Sequence, residues 1–179
     1  MAKINSPGFN FNIRKAELSD AELLVKLGRQ SFYEAFATQT EPQDMEVHLR
    51  TAYNINAINA ELKNDHSLFI IVETESSPVG YAYLHPKIPP ACITDADPIQ
   101  LERFYLLKNY YGQGVGDALM KACLKKAKAL GYRSVWLSSW ELNDRANSFY
   151  KKWRFKIAGR QRFAVGSDVQ NDYVFARRL

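Results

Sequence analysis

Between a β-patterned stretch and a helix-patterned one, residues 112–116 read Gly112-Gln113-Gly114-Val115-Gly116. Glycines at alternate positions let successive backbone N–H groups converge without Cβ obstruction, directly before a helix N-terminus. Such a place binds phosphate or pyrophosphate. Spacing then excludes two nucleotide motifs. The dinucleotide fingerprint G-x-G-x-x-G would need its third glycine at Asp117 or Leu119. The triphosphate loop ends in G-K-[ST], whereas Gly116 is followed by Asp117 and Ala118. A tight strand-to-helix turn without a ligand is the other reading.

The flanking patterns give the architecture. Phe11, Ile13 and Ala16 suggest a short first strand, and Ser19 is expected to cap a helix carrying Leu23, Leu24, Leu27, Phe32, Ala35 and Phe36 at helical spacing. Pro42 suits the first turn of a second helix, and residues 56–63 form a third. Residues 68–74 and 79–84 read as a β-hairpin, followed by an irregular loop with prolines at 86, 89, 90 and 98. From Ile99 the order is strand, glycine turn, helix to Leu130, strand 134–138, helix 143–153, then strands 155–165 and 173–177. That alternation predicts an α/β (α+β) chain: a mixed central sheet of about seven strands with helices on both faces. Residues 1–10 are read as an N-terminal extension and 11–179 as one domain.

Charge is distributed unevenly. Residues 1–99 hold 8 basic and 13 acidic side chains, and residues 100–179 hold 16 and 6. A basic half suits a polyanionic ligand and an acidic half a cationic one, although solvated helix faces would give the same counts. Cys92 and Cys123 cannot make a disulfide framework, and no Cys/His cluster has zinc-ligand spacing, so no metal is expected. The longest apolar run, Leu68 to Val72, is far short of the roughly 20 residues that span a bilayer. The opening lacks the apolar core of a signal peptide, so a cytoplasmic protein without a membrane partner is expected.

The stretches LERFYLLKNYYGQGVGDALM and NDRANSFYKKWRF together resemble the acetyl-CoA signature of the GNAT superfamily of N-acetyltransferases. Gly114 and Gly116 fill the two glycine positions of its turn, and Asn143, Ala146, Phe149 and Tyr150 fill its second motif. The opening IRKAELSDAELLVKL resembles the superfamily's first strand and helix. The segments SFYEAF, EPQDMEVHL, SSWELNDRANSFYKKW and FAVGSDVQNDYVFARRL are similar to bacterial spermine/spermidine N-acetyltransferases of the PaiA type. Two positions depart from the pattern: Tyr111 stands where Gln or Arg opens the turn, and Arg154 stands where glycine precedes the Phe.

The resemblance implies a GNAT-like domain that moves an acetyl group from acetyl-CoA to a primary amine, most simply a polyamine, by direct attack in a ternary complex. Strand groups of Tyr105, Leu106 and Leu107 would hold the pantetheine arm, and one N–H would stabilise the developing oxyanion. The turn of Tyr111, Gly112, Gln113, Gly114, Val115 and Gly116 would take the pyrophosphate, helped by the helix dipole. Asn143 would cap its helix or bond the pantetheine. Tyr150 would be the general acid, the alternative being an aromatic packed beside Trp153. Glu102, expected on one face with Phe104 and Leu106, would be a base acting directly or through water, the alternative being an ion pair with an arginine.

The reaction is expected in a gap between the strands around Tyr105 and Trp136. Glu34, Glu41, Asp44 and Glu46 are expected to border the acceptor cleft, with Phe163 and Tyr173 around its other wall. His48, His66 and His85 read as surface or strand-end residues, and Cys123 as a small hydrophobe. A monomer or a homodimer fits, with no nucleic-acid partner. The rival class is a non-catalytic acyl-CoA sensor or a nucleic-acid binder, although no RNP, zinc-finger or helix-turn-helix pattern is present. An acetyltransferase acting on a protein or aminoglycoside amine is a further alternative.

Overall fold

The computed structural model describes residues 2–6, 9–75, 77–165 and 168–179, with side chains for 10–75, 77–162 and 170–179. Strands β1 (Ala2–Ser6), β2 (Phe9–Lys15), β3 (Leu68–Thr74), β4 (Pro78–His85), β5 (Pro98–Leu106), β6 (Ser134–Trp140), β7 (Lys156–Val165) and β8 (Asp168–Arg178) form one sheet. Its order is β1-β2-β3-β4-β5-β6-β8-β7. Seven of these strands are the ones expected from sequence. The eighth, β1, lies within residues 1–10 and pairs with β2, from Ala2 opposite Ile13 to Ser6 opposite Phe9.

Helices α4 (Val115–Ala129) and α5 (Asp144–Lys152) cover one face, called here the first. Val115, Leu119, Met120, Cys123 and Ala127 are buried there against Leu84, Ile99 and Leu137. Helices α1 (Ala21–Phe36), α2 (Pro42–Ala52) and α3 (Ile55–Lys63) cover the second, where Leu24, Leu27, Phe32, Met45 and Ile58 meet Phe69, Ile71, Tyr81 and Tyr83. Pro42 occupies the first turn of α2 as expected. Ser19 does not cap α1: it lies in a 3-10 turn at Leu18–Asp20, and α1 begins at Ala21. The Asp20 carboxylate instead accepts the Glu17 N–H at 2.8 Å and pairs with Arg14 at 2.7 Å, an arrangement that holds its pKa below the ordinary value.

Every strand pairing is antiparallel except that of β5 with β6, which is parallel and covers only Pro98–Ser134, Ile99–Val135 and Gln100–Trp136. Trp136 therefore still belongs to the paired part. The gap opens beyond it, between residues 101–106 and 137–140. At that point Tyr83 opposes Arg103 while Leu84 opposes Leu101, so Glu102 is the extra residue of a β-bulge. A bulge bends and over-twists its strand, which is a physical cause for β5 to leave β6 there.

Helix α5 ends in a Schellman motif. Phe155 N–H donates to the Tyr150 carbonyl at 3.0 Å and Arg154 N–H to that of Lys151 at 2.9 Å. The motif needs a left-handed residue, and Arg154 supplies it with φ 62°. The turn for which the resembled pattern has glycine is thus kept here by an arginine under strain. No helix among the described residues is long and apolar enough to cross a membrane.

Candidate active site

The parted strands open a cleft of about 560 Å³ that runs through the sheet. On the first face it is bordered by the glycine turn and α5. Gly112 and Gly114 have φ 74° and 80°, a backbone region costly for residues with a Cβ, and Gly114 is the N-cap of α4. The first-turn amides of α4, at Val115, Gly116 and Asp117, have no acceptor within the helix by its own geometry. Asp117 does not set its charge against an incoming anion unopposed, because Lys152 Nζ at 2.8 Å and Trp153 Nε1 at 2.7 Å hold its carboxylate.

Not every expected contact in this turn is a side-chain contact. Val115 is buried in the core, and Gln113 Nε2 donates to the Asn109 carbonyl at 2.6 Å, so both serve the turn from within. The Gln113 Oε1 is buried and has no partner among the described residues. Tyr111 and Gly112 line the cleft, and the Arg145 guanidinium lies 3.8 Å from the centroid of the Tyr111 ring. Arg145, on α5, thereby brings a cation beside the position where the family carries Gln or Arg. Sequence inspection missed it because it arrives from another element.

On β5 the edge facing the gap is set by the ladder with β4. Leu107 N–H donates to the Val79 carbonyl at 2.8 Å, which corrects the expectation that Leu107 holds a ligand through that group. In an antiparallel ladder, groups alternate between the two edges of a strand. The backbone of Tyr105 therefore also faces β4, and that of Leu106 faces the gap. Tyr105 contributes its ring to the cleft, packed against Phe32 and Phe36.

Tyr150 and Asn143 both line the cleft. Tyr150 is buried among Phe149, Phe155 and Phe175, and burial raises its phenol pKa, keeping the hydroxyl protonated. The Asn143 side chain caps α5, accepting the Ala146 N–H at 3.1 Å. Glu102 does not share the face of Phe104 and Leu106, because the bulge re-aims it. Its Oε2 lies 2.6 Å from His85 Nε2, and the His85 ring stacks on Tyr83, which belongs to the second face. Burial opposes charge on Glu102, but the His85 hydrogen bond and the charges of Arg103, His85 and Lys87 outweigh it and lower its pKa. It is an ionised carboxylate at neutral pH.

Other expectations on the second face shift. Glu34, Glu41, Asp44 and Glu46 do not line the cleft, and Glu34 instead accepts the Lys108 N–H at 2.7 Å. His48 is half-buried on the cleft wall, stacked on Phe32 with centroids 4.2 Å apart, and burial and Arg103 lower its pKa. Strands β7 and β8 do form a wall, through Gln161, Gln170 and Asp172 and not through Tyr173. The side chain of Phe163 lies outside the described residues. Arg103, buried between the rings of Tyr53 and Tyr83, makes a bidentate pair with Glu61 at 2.6 and 2.7 Å. No group of three or more His, Cys, Asp or Glu among the described residues is placed to hold a metal.

Free helix-start amides, glycines at left-handed φ and an unpaired strand edge at Leu106 fit a pyrophosphate on an arm that pairs like a strand. Together they define a site for an anion carried on an extended arm, open through the parted sheet to a second molecule. Residues 29–155 match the acetyltransferase (GNAT) family model, and the chain belongs to that family. It is similar to an uncharacterised N-acetyltransferase of Mycobacterium tuberculosis, 30% identical over 90% of this chain and 99% of that one. It is also similar to a spermidine N(1)-acetyltransferase of Thermoplasma acidophilum, 27% identical over 83% of this chain and 89% of that one. Among solved structures, the PaiA N-acetyltransferase of Thermoplasma acidophilum in complex with coenzyme A has the same fold. The TM-score is 0.77 at 24% identity, over 94% of this chain and 99% of that one. The chain is accordingly an acetyl-CoA-dependent N-acetyltransferase.

Proposed function

We propose that this enzyme acetylates a polyamine, with Tyr150 as general acid and Glu102 as proton acceptor. The observation that carries the reading is a cleft whose acceptor side offers carboxylates, Glu102 and Asp172, beside the aromatic wall of Phe32, Phe36 and Tyr105. That lining suits a flexible chain of methylenes and ammonium groups. The likeness to a spermidine N(1)-acetyltransferase, at 27% identity, supports the same acceptor class.

Acetyl-CoA supplies the activated acetyl group as its thioester. The amides of Gly112 through Gly116 and the dipole of α4 receive the pyrophosphate, with Arg145 beside the turn as an added cation. The gap-facing Leu106 N–H is a donor for the thioester oxygen as charge develops there. Glu102, ionised and oriented by His85, takes the proton that the acceptor ammonium must lose before its nitrogen can attack, directly or through water. Tyr150, kept neutral by burial, gives its proton to the departing sulfur. It is restored by the second proton that the nitrogen sheds as the adduct collapses, while Glu102 passes its proton to solvent.

The test follows release of free CoA thiol with spermidine, spermine, a lysine peptide, an aminoglycoside and simple monoamines. Saturable release with a kcat/KM for spermidine at least tenfold above that for 1-aminobutane is expected. Turnover of spermidine no better than that of monoamines would overturn the polyamine reading.

A further inference from the structure

Two acidic residues are buried among the described residues, Asp20 and Asp172, and they are treated very differently. Asp20 is held by Arg14 and by the Glu17 amide. Asp172 is only 6% exposed, yet no hydrogen bond or ion pair reaches its carboxylate from any described residue. The charge that most affects it is Glu141, a second carboxylate, whose own partner is Arg160 at 3.6 Å. A donor is close in register, since Gln161 of β7 lies opposite Asp172, but its Nε2 is turned to Ser138 Oγ at 2.7 Å. Burying a carboxylate with no counter-charge is expensive. A fold that could pair this group and does not is keeping it for something from outside.

Position indicates what that is. Asp172 lines the cleft and lies opposite Trp140 on β6. Alternation along β8 puts it on the side of Val174, which packs with Trp136, opposite to that of Tyr173 and Phe175. That side is the second face, away from the glycine turn and Tyr150. Gln100, at the closed end of the gap, adds a buried Oε1 with no partner among the described residues. Both groups are acceptors without donors, so the complementary ligand carries N–H groups and positive charge.

We propose that Asp172 is a second cation subsite, binding an ammonium group of the acceptor other than the one acetylated. The inference rests on the polyamine reading and assigns that reading its specificity determinant. Selection for acceptors with two or more amines then comes from satisfying Asp172. An acceptor with one amine leaves the carboxylate buried and unpaired.

The experiment uses the full chain with CoA bound, titrated calorimetrically at pH 7.5 with spermidine and with 1-aminobutane, for wild type and Asp172→Asn. A charge-assisted hydrogen bond is worth about 1.5–3 kcal/mol, roughly a 10- to 150-fold change in affinity. The ratio of spermidine to 1-aminobutane affinity should therefore fall at least tenfold in the variant. An unchanged ratio, or equal weakening of both amines, would overturn the subsite. Thiol release measured alongside separates the two readings. No turnover of spermidine with the ratio still dependent on Asp172 refutes only the polyamine acceptor. Good turnover with an unchanged ratio refutes only the subsite.

Discussion

Asp172→Asn should make the protein more stable, and the gain should depend on pH in a definite direction. Burial, reinforced by Glu141, moves the Asp172 pKa from the ordinary 3.8 up to about 6. The folded state then holds this proton more tightly than the unfolded state does. Wild type loses stability as pH rises between those two values, and the whole loss is present above pH 6. One unit corresponds to about 1.4 kcal/mol, so the cost at pH 7.5 is at most about 3 kcal/mol. Asparagine carries no charge at any pH and nearly the same shape. About a third of the loss is already present at pH 4.5, so the advantage of the variant should be about 1 kcal/mol or less there and widen about threefold, to at most about 3 kcal/mol, at pH 7.5. Urea unfolding of both proteins at pH 4.5, 6 and 7.5 reads this directly, because titrations elsewhere in the chain cancel in the difference. A variant that is less stable at pH 7.5, or a difference that does not widen with pH, would refute the reasoning. A residue that costs stability in the free protein while lining the cleft is what a ligand-binding group looks like energetically.

Arg154→Gly should stabilise the fold by about 0.5–1 kcal/mol, since glycine avoids the left-handed strain at φ 62° but gives back some chain entropy. Thermal unfolding would show this as a rise of a few degrees in Tm, and an unchanged or lower Tm would contradict the strain argument. Glu61→Ala should cost about 2–3 kcal/mol in urea unfolding, because it leaves the Arg103 guanidinium buried between two tyrosine rings with only the longer ion pair to Glu102 at 3.8 Å. A loss under 1 kcal/mol would show that solvent reaches Arg103 once Glu61 is gone.

Much of this molecule was legible from local pattern. The helix and strand periods, the glycine turn and the cap at Asn143 depend on residues close in sequence, and they sit where the pattern put them. What escaped depends on register. The bulge at Glu102 is a single extra residue with no composition of its own, yet it turns the side chain from the Phe104 side to the His85 side. It also helps to fix where β5 leaves β6, three pairs in. Asp172 and Arg145 matter because distant strands and helices bring them to the cleft, which no spacing rule reveals. Ser19 is not a cap because the 3-10 turn at Leu18–Asp20 takes it up and moves the N-cap of α1 to Asp20, whose carboxylate pairs with Arg14. The resemblance puts Glu34, Glu41, Asp44 and Glu46 on helices beside the acceptor cleft, but neither it nor their charge says which way those side chains face, and none lines the cleft.

The central claim is that one cleft through the sheet does the chemistry, with the Tyr150 hydroxyl delivering a proton on the first-face side. Tyr150→Phe keeps the ring and its packing against Phe155 and Phe175 and removes only that hydroxyl. The direct test is kcat of this variant by CoA thiol release, set against its acetyl-CoA Kd by calorimetry. General acid catalysis contributes about 10²- to 10⁴-fold, so kcat should fall by that much while Kd stays within about threefold. A variant turning over at the wild-type rate would contradict the account.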